Sequence, residues 1–188
     1  LGEIDTHKFT AELAAIESVF DKPLAMKGMI LQLNIPFVSE MLNKVLFVYI
    51  KRHPLYNAQS LLESRIRFFG DREAWYSFKP EEHEHLKNLD VAEQVAGQVY
   101  FTNRAIEEGL SQISSDRSLT VNYEEFCIAP HKVFQRLGAK LSQQGYDALR
   151  DYAGPDSFQA TNQIRLPAED CQAITAAYER FSGMEITP

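Results

Sequence analysis

From Lys8 to Phe20 the apolar residues Phe9, Leu13, Ile16 and Phe20 recur at steps of four, three and four. That rhythm predicts an amphipathic helix, which Pro23 ends. Leu24 to Leu33 is a mixed apolar stretch that reads as a strand, and Pro36 opens a short helix. Val45 to Ile50 is uninterrupted apolar sequence, β-branched and aromatic, the pattern of a strand covered on both faces in a parallel sheet. It runs into Lys51-Arg52-His53-Pro54, where Pro54 suits the first position of a helix reaching Phe69. The longest periodic stretch follows, with Ala92, Val95, Ala96, Val99, Asn103, Ile106, Leu110 and Ile113 on one helical stripe. Ser114-Ser115-Asp116 turns the chain into a strand, Leu119 to Tyr123, and Pro130 to Gln144 is helical. Two more helices are expected, around Gln144 to Tyr152 and Ala168 to Phe181.

Strands alternating with helices imply parallel pairing and an α/β fold. Three strands are few for about seven helices to cover. A further strand upstream of Leu1 is therefore expected, with residues 1–188 forming part of one domain.

The 188 residues carry enough apolar sequence, 45%, to bury a core without staples. A net charge of −7 disfavours a nucleic-acid footprint. Cys127 and Cys171 are too few for a disulfide framework, which points to a reducing cytoplasm. No apolar run approaches the length of a membrane span. His83 and His85 stand two apart, not on one helical face, so the segment reads as a solvated helix start with no metal. Trp75 either lines a pocket or anchors a loop, and Asn162 and Arg165 read as surface loop.

Charge is uneven. Between Lys44 and Arg72 six basic residues face only Glu63 and Asp71, so this segment is +4 and the rest −11. Arg65, Arg67 and Arg72 read as a solvated basic face. Arg52 differs, because it falls just past the carboxyl end of the buried strand, where open α/β sheets bind ligands. The next helix start adds unpaired N–H groups and a positive dipole end. Ser60, eight residues after Arg52, adds a hydroxyl on the second turn. Guanidinium, hydroxyl and helix end together suit a phosphate.

Val45-Leu46-Phe47-Val48-Tyr49-Ile50-Lys51-Arg52-His53-Pro54, with Ser60 following, resembles the 3′-phosphate-binding strand-loop-helix of sulfotransferases that use 3′-phosphoadenosine-5′-phosphosulfate (PAPS). Leu119-Thr120-Val121-Asn122-Tyr123-Glu124-Glu125-Phe126, followed by Pro130, is similar to that family's strand ending in Tyr-Glu-Asp before a Pro-led helix. Lys27, 25 residues before Arg52, matches the spacing of a family lysine. The resemblance spans Leu24 to Gly138 and implies a three-layer α/β/α domain with a parallel sheet, related to the P-loop nucleotide-binding folds. It implies sulfonate transfer from PAPS to a hydroxyl of a small molecule, carbohydrate or lipid. Arg52 and Ser60 would bind the 3′-phosphate, Tyr123 the adenine, and Lys27 would lie near the transferred sulfonate.

Three departures qualify it. The family's glycine-rich phosphosulfate loop is absent, in keeping with a strand and loop upstream of Leu1. Met29 occupies the position of the family's catalytic histidine and cannot take a proton. His53 replaces the usual aspartate as a tolerated loop change. A nucleotide kinase-like enzyme, which would need a Walker loop, and a non-catalytic nucleotide-binding or interaction module are the alternatives.

Overall fold

The computed structural model describes residues 5–20, 22–147 and 151–186. Helices dominate it: α1 (Thr6–Phe20), α2 (Ile35–Met41), α3 (Pro54–Phe69), α4 (His83–Leu86), α5 (Val91–Ser111), α6 (Tyr123–Ile128), α7 (Pro130–Gln143) and α8 (Ala168–Ser182). Two strands, β1 (Phe47–Lys51) and β2 (Ser118–Asn122), pair in parallel, Phe47 opposite Ser118 through Lys51 opposite Asn122. The protein is therefore mixed α/β with a small parallel sheet. None of the described helices is long and apolar enough to cross a membrane.

Local signals explain most boundaries. Pro36 and Pro54 sit in the first turns of α2 and α3, where a missing N–H costs nothing. Asp90 and Glu93 form a reciprocal capping box at the start of α5. Gly70, at φ 68°, closes α3 in the left-handed conformation that glycine adopts without steric cost.

The main core is helical. Leu55, Ala58 and Leu62 of α3 meet Val95, Ala96 and Val99 of α5 and Ile174, Ala177 and Tyr178 of α8. Gly97 lets α4 dock closely, since a Cβ there would collide with the buried Leu86. A smaller cluster joins Leu119 and Val121 of β2 to Val133 of α7.

Four expectations are corrected. Leu24 to Leu33 is not a strand; it is largely exposed turns and irregular chain, and neither described strand pairs with it. β1 is not covered on both faces. Tyr49 is buried, and Lys51 on the same face bonds Glu107 of α5 at 2.5 Å. Val48 and Ile50 on the other face are exposed, and α7, which packs on β2, leaves them open. No helix occupies 144–147, since Gly145 at φ 79° breaks the chain after α7; residues 148–150 of that predicted helix lie outside the described residues. Arg65 is not solvated: it is fully buried, while Arg67 and Arg72 are exposed as expected.

Candidate functional site

Arg52 leaves the carboxyl end of β1 half-buried, and its guanidinium is held on every nitrogen. Nε donates to Asn162 Oδ1 at 2.9 Å, and Nη1 donates to the Ser60 hydroxyl at 3.3 Å. Nη2 donates to the Thr161 carbonyl at 3.0 Å and lies 3.4 Å from its hydroxyl. The guanidinium carbon stands 5.0 Å from the centre of the Tyr123 ring and 5.9 Å from that of Tyr56, a favourable placement for a cation on aromatic faces. Ser60 in turn donates to the Tyr56 carbonyl at 2.9 Å.

Each group is placed by its element. The chain leaves β1, turns at His53 and enters α3, which returns Ser60 beneath Arg52 after two helical turns. His53 performs the capping that an aspartate would: its Nδ1 accepts the Leu55 N–H at 3.3 Å. Pro54 has no N–H and that of Leu55 is taken, so α3 offers an anion less backbone than expected. The side chains of Arg52 and Ser60 carry the site instead. Tyr123 begins α6, which Asn122 caps by accepting from Glu124 N–H at 3.0 Å.

The sequence reading missed the segment that closes over these groups. Residues 158–166 are irregular but stitched down throughout. Phe158 N–H donates to the Cys127 carbonyl at 2.7 Å, and its ring stacks on Phe126. The Thr161 N–H donates to the Tyr123 hydroxyl at 3.1 Å, and the two hydroxyls are 3.0 Å apart. Buried Gln59 of α3 donates to the Gln163 carbonyl at 2.9 Å and accepts the Arg165 N–H at 2.8 Å. Arg165 forks onto both oxygens of Glu63. Asn162 and Arg165, expected as surface loop, are thus tied to the site.

Glu124 is the carboxylate that holds Asn162. Its Oε1 accepts from Asn162 Nδ2 at 2.6 Å and from the His53 N–H at 3.3 Å. Partial burial alone would raise its pKa; the bonds from Asn162 and from the backbone N–H groups of Glu124 and His53 outweigh that and hold it below the ordinary value.

The structure thus brings Arg52, Ser60 and Tyr123 together. Lys27 is exposed in the irregular stretch between α1 and α2, and is not among the groups bonded to Arg52, Ser60 or Tyr123. Met29 is exposed on the same stretch. Trp75 anchors a loop: its Nε1 donates to the Phe78 carbonyl at 3.3 Å, with Arg65 against one face and His83 at its edge. Among the described residues, no cluster of three His, Cys, Asp or Glu side chains could hold a metal ion. No protein-family model, curated protein or solved structure matches the chain.

Proposed function

We propose that this chain carries the 3′-phosphate-binding part of a cytoplasmic PAPS-dependent sulfotransferase, an enzyme that passes a sulfonate group from PAPS to an acceptor hydroxyl and releases adenosine 3′,5′-bisphosphate. The observation that carries the reading is the Arg52–Ser60 pair, 3.3 Å apart at the end of a parallel strand, with Tyr123 against the guanidinium. A phosphate oxygen can take the remaining Nη1 hydrogen, while Ser60 turns its hydroxyl from the Tyr56 carbonyl toward the ligand. Tyr123 gives Arg52 one ring face and would offer adenine the other. In the transfer the acceptor oxygen attacks sulfur in line and gives up its proton to water, while the bond to the 5′-phosphate oxygen breaks and that oxygen keeps the electron pair; positioning with charge stabilisation supplies the rate. Lys27 would offset charge on the departing oxygen only if its exposed segment closed over the nucleotide.

Titration calorimetry tests the anion site. Arg52→Ala is expected to weaken adenosine 3′,5′-bisphosphate by about ten- to a hundredfold, the worth of charge-assisted bonds, and adenosine 5′-phosphate much less. Arg52→Lys recovers only part of the loss, because an ammonium cannot reproduce the planar fork. Equal losses for both nucleotides would show that Arg52 does not hold the 3′-phosphate.

A further inference from the structure

Glu124 reaches Arg52 through two hydrogen bonds, with Asn162 between them. An ionised carboxylate only accepts hydrogen bonds, whereas an asparagine amide has one donating and one accepting end. Because Glu124 Oε1 takes the amide nitrogen of Asn162 at 2.6 Å, the amide oxygen must face the other way, toward Arg52 Nε at 2.9 Å. The flipped amide would set oxygen against carboxylate and NH2 against guanidinium, two repulsive contacts. Glu124 thereby fixes the sense of the amide, and the amide fixes the guanidinium plane.

A carboxylate placed directly on Arg52 would orient it equally well but would cancel its charge. Through a neutral amide, the arginine is oriented and keeps its full positive charge for an anion. The same Glu124 oxygen also accepts the His53 N–H, so strand end, helix start and the 158–166 segment share one anchor.

We infer that Glu124 is a positioning residue that, acting through Asn162, holds the Arg52 guanidinium for a 3′-phosphate and sets the preference for 3′-phosphorylated nucleotides. This inference rests on Arg52 being the 3′-phosphate ligand, so the experiment reads both. Calorimetry with adenosine 3′,5′-bisphosphate and adenosine 5′-phosphate is run on the full 188-residue chain. Glu124→Ala and Asn162→Ala are each expected to weaken the bisphosphate by about tenfold and the 5′-phosphate by less than about twofold. The double variant is expected to be no worse than either single one, since both break the same relay. Glu124→Gln restores most of the loss, because its carboxamide oxygen still accepts from Asn162 and His53. A merely structural role would not separate the two nucleotides or be rescued in this way.

Thermal melting checks that each variant folds. If Glu124→Ala does not fold, Asn162→Ala decides alone, its segment having no regular structure to lose. Unchanged or tighter bisphosphate binding in the folded variants, or losses that simply add, overturn the relay. A selective loss in Arg52→Ala without one in Glu124→Ala and Asn162→Ala overturns the relay and leaves the anion site standing. No selective loss in Arg52→Ala overturns both.

Discussion

Arg65 is the largest fully buried side chain described, and its three hydrogen-bond acceptors are all neutral. Nη1 donates to the Arg72 carbonyl at 3.2 Å and to Gln94 Oε1 at 2.7 Å, and Nη2 reaches Gln98 Oε1 at 3.5 Å; Nε has no partner among the described residues. Burial lowers its pKa from the ordinary value, with Glu73 and Asp71 opposing the shift. The position was legible in the sequence: Leu55, Ala58, Leu62 and Arg65 continue one stripe at steps of three, four and three. Charge alone had argued for solvent, and the stripe won because two glutamines and the Trp75 face receive the cation. Arg65→Met would orphan two buried amide oxygens and is expected to cost about 2–4 kcal/mol in urea unfolding. Arg67→Met on the exposed side should stay within about 0.5 kcal/mol; comparable losses at both positions would contradict this burial. Glu124 gives the pH counterpart. Its folded pKa lies below the ordinary 4.5, so its bonds contribute stability that is complete above that pH and is lost as the pH falls through the depressed value. Below pH 4.5 the melting temperature should therefore fall less steeply in Glu124→Gln, and identical slopes would show that Glu124 is not held as described.

At the scale of elements, β1 and β2 have the same apolar character and opposite environments. Val48 pairs with Leu119 and Ile50 with Val121, so each pair shares a face, yet the exposures are 46% against 4% and 61% against 2%. Helix α7 covers β2 through Val133 and Leu137 and leaves Val48 and Ile50 open. An apolar run reports that a strand can be buried; which neighbour buries it depends on residues far along the chain. The same holds for α1, whose apolar stripe was read correctly but which buries no residue. By contrast α3, α5 and α8 were placed closely, because caps and periodicity agreed with the packing they enter. Helix α6 went unread although Asn122, followed by Glu124 and Glu125, is a start signal. Val121→Ala should lower stability by about 2 kcal/mol through lost burial and a residual cavity. Ile50→Thr should change it by less than about 0.5 kcal/mol. A large loss at Ile50, measured by denaturant unfolding, would mean that something covers β1.

Over the whole molecule, the candidate site sits where the helical core meets the sheet. The end of β1, the starts of α3 and α6 and the 158–166 segment converge there. Sequence spacing found Arg52 and Ser60, which lie on one strand-helix unit, and the family resemblance added Tyr123, which opens the helix after β2. It could not find Thr161 and Asn162, which reach the site from irregular chain more than a hundred residues past Arg52. All the phosphate-binding chemistry so assembled is for one phosphate. The sequence holds no glycine-rich loop of the kind that cradles a second. A phosphate without ligands of its own gains only screened attraction to the basic segment, which fades beyond about 8 Å at physiological salt. Adenosine 3′-phosphate is therefore expected to bind this chain within about threefold of adenosine 3′,5′-bisphosphate. The chain should also bind PAPS without passing its sulfonate to a panel of hydroxyl acceptors. Calorimetry with the two nucleotides and a transfer assay on the same preparation measure both. A bisphosphate bound tens of times more tightly, or robust turnover, would mean that this chain builds a 5′-phosphate site by another route. Tight 3′-phosphate binding without turnover would fit the anion site alone, as in a nucleotide-binding module whose exposed Lys27 and Met29 take no part in chemistry.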